Sequence, residues 1–247
     1  MKNKIALVTG GTRGIGQAIC DALLKKGAFV IAGYTNEENA QKWLAIQKDK
    51  GFGNKVDIVK GDISNPEEVT PAIQKTIEKH GRIDILVNNA GITRDTTFKR
   101  MSFQQWNDVI TTNLGSMFNV SRPVVDSMLA NGYGRIINIS SVNAQKGQFG
   151  QVNYSAAKAG IHGFTKALAQ EVATKNITVN TVSPGYVSTE MVTAIPEKVL
   201  DSIIASVPVK RLGSPEEIAR LITFIADEQS GYITGADISI NGGLHMS

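Results

Sequence analysis

Seven short apolar runs separated by longer amphipathic stretches set what this chain can fold into. The runs are Ile5–Val8, Phe29–Ala32, Val56–Val59, Ile83–Val87, Arg135–Ile139, Thr178–Val182 and Ala236–Ile240. They are short, rich in Val and Ile, and end near Gly, Asn, Asp or Ser, the pattern of strands covered on both faces. Ile15–Lys26 and Pro66–Lys79 read as helices between them. Asn65-Pro66-Glu67-Glu68 gives the second of these a cap, a first-turn proline and early acids, and Ser214-Pro215-Glu216-Glu217 opens a late helix in the same way. Right-handed crossovers turn such alternation into a doubly wound α/β fold, a parallel sheet of about seven strands with helices on both faces. No linker, repeat or low-complexity segment divides the 247 residues, so one unit spanning 1–247 is expected. Residues 186–212 break the rhythm. They hold Pro196 and Pro208 and carry weak helical pattern, which predicts a mobile lid near a site.

Composition removes several classes of function. Twenty-six Lys and Arg against 22 Asp and Glu give a net charge of +4, with no run of basic residues. A solvated surface is expected rather than a nucleic-acid partner, although a mildly positive chain suits a polyphosphate ligand. Cys20 is the only cysteine, so no intrachain disulfide can form and a reducing cytoplasm is expected. No stretch approaches 18 apolar residues, so no membrane span is expected. His80, His162 and His245 lie far apart, and no metal-ligand spacing occurs.

After the first run comes Thr9-Gly10-Gly11-Thr12-Arg13-Gly14-Ile15-Gly16, followed by a helix. Glycines there let a pyrophosphate approach backbone N–H groups, and a helix N-terminus adds free donors and partial positive charge. Later, Tyr154-Ser155-Ala156-Ala157-Lys158 puts a phenol and an ammonium on one helical face. A nearby ammonium is expected to lower the phenol pKa, so that Tyr154 serves as an acid-base group. Ser141 ends the fifth run, where its hydroxyl can orient a substrate carbonyl beside Tyr154. Ser140 is its neighbouring competitor. His162 on the same helix reads as a packed histidine, and a Ser-His-Asp hydrolase is set aside because no G-x-S-x-G elbow exists.

The glycine spacing G-x-x-x-G-x-G resembles the cofactor signature of the short-chain dehydrogenase/reductase family, and the likeness runs along the whole chain. It implies a Rossmann-type fold and catalytic roles for Asn113, Ser141, Tyr154 and Lys158, with Asn113 helping to hold a water in a relay toward Lys158. It favours Ser141 over Ser140. Cofactor contacts are implied for Gly10, Thr12, Arg13, Gly14, Ile15, Gly16, Tyr34, the pair Asp62-Ile63, the stretch Asn89-Ala90-Gly91, Tyr154, Lys158, Pro184, Gly185, Val187 and Thr189. Asn88 reads either as a tie between strand ends or as part of the cofactor motif. Where NAD-binding enzymes place a ribose-binding acid, the second run ends Gly33-Tyr34-Thr35-Asn36, and the first acid is Glu37 in the next helix. With Arg13 able to fork onto a 2′-phosphate, NADPH is expected over NADH.

Within the family, the stretches Asn89–Asp95, Val142–Gln151, Ala169–Lys175 and Asn241–Met246 resemble members that reduce acetoacetyl-CoA for polyhydroxybutyrate synthesis, giving an (R)-3-hydroxy product. Members acting on acyl-carrier-protein thioesters are the alternative. Gln148, Phe149, Gln151 and Tyr186 are expected at the substrate, the amides on the thioester carbonyl and Phe149 closing a small acyl pocket. A dinucleotide sensor without chemistry would be expected to lack Tyr154 or Lys158, and both are present. Apolar residues on more than one face of Asn107–Leu129 and Tyr154–Thr174 are explained either by intrachain packing or by the homotetramer that the resemblance implies.

Overall fold

The computed structural model describes residues 1–193 and 196–246. Seven strands form one parallel sheet: β1 (Ile5–Val8), β2 (Phe29–Tyr34), β3 (Val56–Lys60), β4 (Ile85–Asn88), β5 (Gly134–Ile139), β6 (Ile177–Pro184) and β7 (Asp237–Ile240). Their order is 3-2-1-4-5-6-7. The helices are α1 (Gly14–Lys25), α2 (Glu37–Asp49), α3 (Pro66–His80), α4 (Phe103–Ile110), α5 (Ser116–Asn131), α6 (Val142–Lys146), α7 (Val152–Val172), α8 (Glu190–Thr193), α9 (Glu197–Ser206) and α10 (Pro215–Ile225).

Successive strand residues feed opposite faces, as a pleated strand requires. Ala6 and Val8 of β1 pack with Ile19, Leu23 and Leu24 of α1 and Ile218, Ile222 and Ile225 of α10. Leu7, between them, packs with Val69 and Ile73 of α3 and Val120, Val124 and Met128 of α5. This two-sided burial is why the runs read as unbroken apolar sequence rather than as alternation. Chain direction across the sheet reverses between β1 and β4, and a crevice opens there at the strands' carboxyl ends.

Polar side chains also cross the sheet interior. Asn88 Nδ2 donates to Asn138 Oδ1 at 2.8 Å and to Ser121 Oγ at 3.1 Å. Asn138 Nδ2 donates to Thr165 Oγ1 at 2.9 Å, and Thr181 Oγ1 donates to the same oxygen at 2.8 Å. Asn88 is thus the tie between β4 and β5. Asn138 is fully buried, so Asn138→Ala strips two buried partners at once. It is expected to destabilise the fold by about 2–3 kcal/mol, seen as a lower denaturant midpoint with unchanged slope.

Two expectations about helices need correction. The stretch Asn107–Leu129 is not one helix: a π-helical turn, Thr111–Gly115, separates α4 from α5. The buried Asn113 in that turn reaches sideways to hydrogen-bond another loop, and a π bulge often marks such a functional irregularity. Residues 186–212 are more helical than their pattern suggests, since α8 and α9 both fall within them. Residues 194 and 195 of that segment lie outside the described residues. Its base is pinned: Gly213 N–H donates to Tyr186 O, and Ser188 N–H to Gly213 O, both at 2.9 Å.

Candidate active site

The β1–α1 turn is shaped for close approach. Gly10 and Gly14 have φ of +61° and +53°, and a Cβ on Gly16 would fall 2.0 Å from the Gly10 carbonyl oxygen. Arg13, at the N-cap of α1, is extended and makes no side-chain cap. The first amides of α1 are therefore left without a capping side chain. Thr9 binds this turn to the loop after β4. Its hydroxyl accepts from Asn89 N–H at 2.9 Å and Ala90 N–H at 3.0 Å, while Asn89 Nδ2 donates to Thr9 O at 2.9 Å. Thr9 stood beside the glycines in sequence, but nothing local marked it as the joint.

A cleft of about 980 Å³ runs along this turn. Gly10, Thr12, Arg13, Gly14, Ile15, Gly16, Tyr34, Asp62, Ile63, Asn89, Ala90, Gly91 and Thr189 all line it. The glycine cradle, the uncapped helix end and the cleft volume fit an extended dinucleotide. Lys60, which the sequence reading passed over, lines it too. It ends β3 directly opposite Tyr34 in the sheet register.

A smaller cavity of about 250 Å³ adjoins the cleft and shares Ile15, Asn89, Gly91, Ile92 and Thr189 with it. Ser141, Tyr154, Lys158, Pro184, Gly185, Tyr186, Val187 and Gln151 line this second space. Ser141 caps α6, its Oγ accepting from Asn143 N–H at 3.1 Å, and its side chain is hydrogen-bonded to the Tyr154 phenol. Ser140 instead donates to Lys158 O at 2.9 Å and lies 2.9 Å from His162 Nε2, so it braces α7. His162 is accordingly a packed side chain.

Lys158 is buried, and its ammonium donates to Ile139 O at 2.7 Å. Burial pushes its pKa down to about 8. The Tyr154 phenol departs from expectation: burial raises its pKa, the Ser141 hydroxyl beside it pulls the other way, and Asp95 adds to the rise. The Lys158 ammonium does not reverse this. It sits 5.8 Å from the Tyr154 ring centroid and is directed to the Ile139 carbonyl.

Asn113 grips Ile92 twice, accepting from its N–H at 2.8 Å and donating to its O at 2.9 Å. Both ends of the amide are thus tied to the backbone of Ile92, which fixes the π-helical turn against the loop after β4. A Cβ on Gly91 would fall 2.9 Å from Asn113 Oδ1 and 3.5 Å from Lys158 Nζ. The clamp therefore brings Gly91 close to the ammonium.

The expected substrate residues divide. Tyr186 and Gln151 line the smaller cavity. The Gln151 amide is committed, accepting from Asn143 Nδ2 at 2.9 Å and donating to Asp95 Oδ2 at 2.7 Å. Gln148 and Phe149 do not line either cavity. Phe149 is 86% exposed, and the Gln148 carbonyl accepts from Lys146 at 2.8 Å. The loop's turn at Gly147, with φ of +71°, is the kind of feature that a sequence spacing does not convey. Asp62 is held in its own turn by Ser64 N–H and hydroxyl at 2.9 and 2.7 Å.

The chain belongs to the short-chain dehydrogenase family, whose match covers residues 4–200. Members of this family use a nicotinamide dinucleotide, NAD or NADP, so the chain is an oxidoreductase with that class of cofactor. It is 55% identical to an acetoacetyl-CoA reductase of Cupriavidus necator over 100% of both chains. A nodulation protein G of Azospirillum brasilense is 53% identical over 99% of each chain. A 3-oxoacyl-[acyl-carrier-protein] reductase of Vibrio cholerae is 44% identical over 100% of this chain and 99% of its own.

Proposed function

We propose that the protein reduces acetoacetyl-CoA to (R)-3-hydroxybutyryl-CoA with NADPH, as a homotetramer. The observation that carries this is the meeting of Ser141, Tyr154 and Lys158 on a small cavity that opens into the dinucleotide cleft. The likeness to acetoacetyl-CoA reductases supplies the substrate: at 55% the Cupriavidus protein exceeds the 44% of the carrier-protein reductase.

A nicotinamide cofactor held in the cleft by the β1–α1 turn would supply a hydride to the 3-oxo carbon. The Ser141 hydroxyl donates to the substrate carbonyl and fixes its direction. Tyr154 gives its phenolic proton to the same oxygen as charge develops there. A phenol whose pKa is raised by burial keeps that proton at neutral pH, as reduction requires. Lys158 places a positive charge next to the reacting groups and can hold ribose hydroxyls. Asn113 positions the loop that sets Gly91 against Lys158. Tyr186 and Gln151 wall the acyl space, and residues 186–212 serve as the lid over it. Arg13 favours a phosphorylated ribose. The exposed Phe118, Leu129 and Val152 on α5 and α7 support burial of those helices between subunits.

Steady-state NADPH oxidation with acetoacetyl-CoA and, separately, acetoacetyl-carrier protein tests the substrate. The CoA thioester is expected to win in kcat/KM. A preference of about tenfold or more for the carrier protein, some 1.4 kcal/mol in the transition state, would overturn the reading in favour of fatty acid synthesis.

A further inference from the structure

The adenosine-ribose end of the cleft poses a charge problem. An NADP-binding cleft must receive a phosphate dianion, yet the first residues of α2 are Glu37 and Glu38. The structure turns both carboxylates to other partners. Glu37 Oε2 accepts from the Tyr34 hydroxyl at 2.8 Å and its Oε1 from Gln41 Nε2 at 2.9 Å. Glu38 is paired with Lys42 at 2.6 Å. Neither acid is among the residues lining the cleft, whereas Tyr34, Thr35, Asn36 and Asn39 around them are.

Three cations line that cleft, and one of them, Arg94, is paired with Asp108 at 3.7 Å, which leaves two. Arg13 comes from the β1–α1 turn and Lys60 from the end of β3. Both are exposed, and among the described residues neither forms an ion pair. The parallel register sets Lys60 beside Tyr34, and its charge acts on the Glu37 carboxylate. Lys60 therefore stands between a sequestered anion and the open cleft.

We propose that Lys60 is a specificity-determining residue, the second cation of the 2′-phosphate subsite with Arg13, and that the Tyr34–Glu37–Gln41 bonds keep the neighbouring carboxylate out of that subsite. The inference rests on the NADPH reading above. Three separate elements build the subsite. The turn supplies a planar fork, β3 supplies a point charge, and the Tyr34 hydroxyl holds back an acid of the next helix that would repel phosphate or accept an unphosphorylated ribose diol. Removing Lys60 deletes attraction for the phosphate and leaves Glu37 uncompensated. Removing only the Tyr34 hydroxyl frees one Glu37 oxygen to turn toward the ribose.

Titrations of NADPH, NADH, 2′,5′-ADP and 5′-AMP against the wild-type protein, Lys60→Gln and Tyr34→Phe test this by fluorescence and calorimetry. Wild type is expected to bind 2′,5′-ADP at least about tenfold more tightly than 5′-AMP. Lys60→Gln is expected to weaken NADPH and 2′,5′-ADP by about tenfold while NADH and 5′-AMP stay within about twofold, the scale of one charge-assisted bond. Tyr34→Phe is expected to weaken NADPH by about threefold and to tighten NADH. Lys60 is exposed, so its variant folds normally, and a thermal scan checks this. If wild type discriminates and Lys60→Gln binds 2′,5′-ADP as wild type does, Lys60 is not in the subsite and the NADPH reading stands. If Tyr34→Phe leaves the NADPH-to-NADH ratio unchanged, the sequestering role fails. A wild type that binds 2′,5′-ADP and 5′-AMP equally overturns the NADPH reading and the subsite with it.

Discussion

Tyr154→Phe is expected to lower kcat/KM for acetoacetyl-CoA by about 10³-fold or more, the scale of losing a positioned acid, while NADPH binding stays within about twofold. The change removes one oxygen from a side chain that lines the smaller cavity and leaves the ring that packs there. Ser141 remains to orient the carbonyl, but a serine hydroxyl is too weak an acid to replace the phenol as proton donor. Because burial raises the Tyr154 pKa, the phenol stays protonated through neutrality. The reductive rate of wild type is accordingly expected to be flat between about pH 6 and 7 and to fall as the Lys158 ammonium, with its pKa lowered to about 8, loses its proton, with oxidation of the 3-hydroxy product gaining as pH rises toward phenolate formation. Stopped-flow measurement of NADPH consumption checks both. A variant retaining more than about a tenth of wild-type kcat/KM, a loss of under 1.4 kcal/mol, would remove Tyr154 from the chemistry.

Lys158→Met should separate stability from activity. The buried ammonium has its pKa lowered from 10.5 to about 8. A lysine with a depressed folded pKa opposes folding. Below about pH 8 both folded and unfolded chains hold the proton, and the full burial cost of about 3 kcal/mol applies. Between about 8 and 10.5 the unfolded chain binds more protons than the folded one, so stability rises with pH and the cost disappears. Methionine avoids that cost but leaves the Ile139 carbonyl without its donor, which returns about 1–2 kcal/mol. The net expectation is a variant about 1–2 kcal/mol more stable than wild type at pH 7. That advantage should vanish near pH 10, read from denaturant midpoints at each pH. Its kcat/KM is expected to fall by about 10²–10³-fold, as for loss of preorganised charge beside the reacting oxygen. A variant less stable than wild type at pH 7 would mean that the ammonium is a net support of the fold.

Much of the fold was legible because its signals are local. The strand runs predicted from apolar content fall within two residues of the observed strands at either end. The cap and proline before α3 mark its start at Pro66, and Ser214-Pro215 does the same for α10. The Gly10-Gly14-Gly16 turn was legible for the same reason, since a required φ or a missing Cβ is a property of one residue. The i to i+4 pairing of Tyr154 and Lys158 follows from helix geometry alone.

Where the reading went astray, a distant partner decided the outcome. The partner of the Asn113 amide, Ile92, lies 21 residues earlier and was not foreseen. Gln151 lines the smaller cavity as expected, but its bridge between Asn143 and Asp95 was not foreseen. Phe149 was expected to close a pocket, yet the turn of its loop leaves it 86% exposed. Without a cofactor, the Tyr154 pKa is raised chiefly by burial, a quantity that a sequence does not display.

The sequence by itself determined the alternation of strand and helix, the glycine turn after β1 and the placing of Tyr154 and Lys158 on one helical face, since periodicity, glycine and helical spacing act over a few residues. Only the tertiary structure decided which polar groups are spent and which are free. Hydrogen bonds and burial depend on what the folded chain brings together, as at Asn88 and Asn138, Thr9 and Asn89, or Lys60 and Tyr34. A buried polar group must find a partner wherever the fold places one, and that choice is made by strand register rather than by neighbours in sequence.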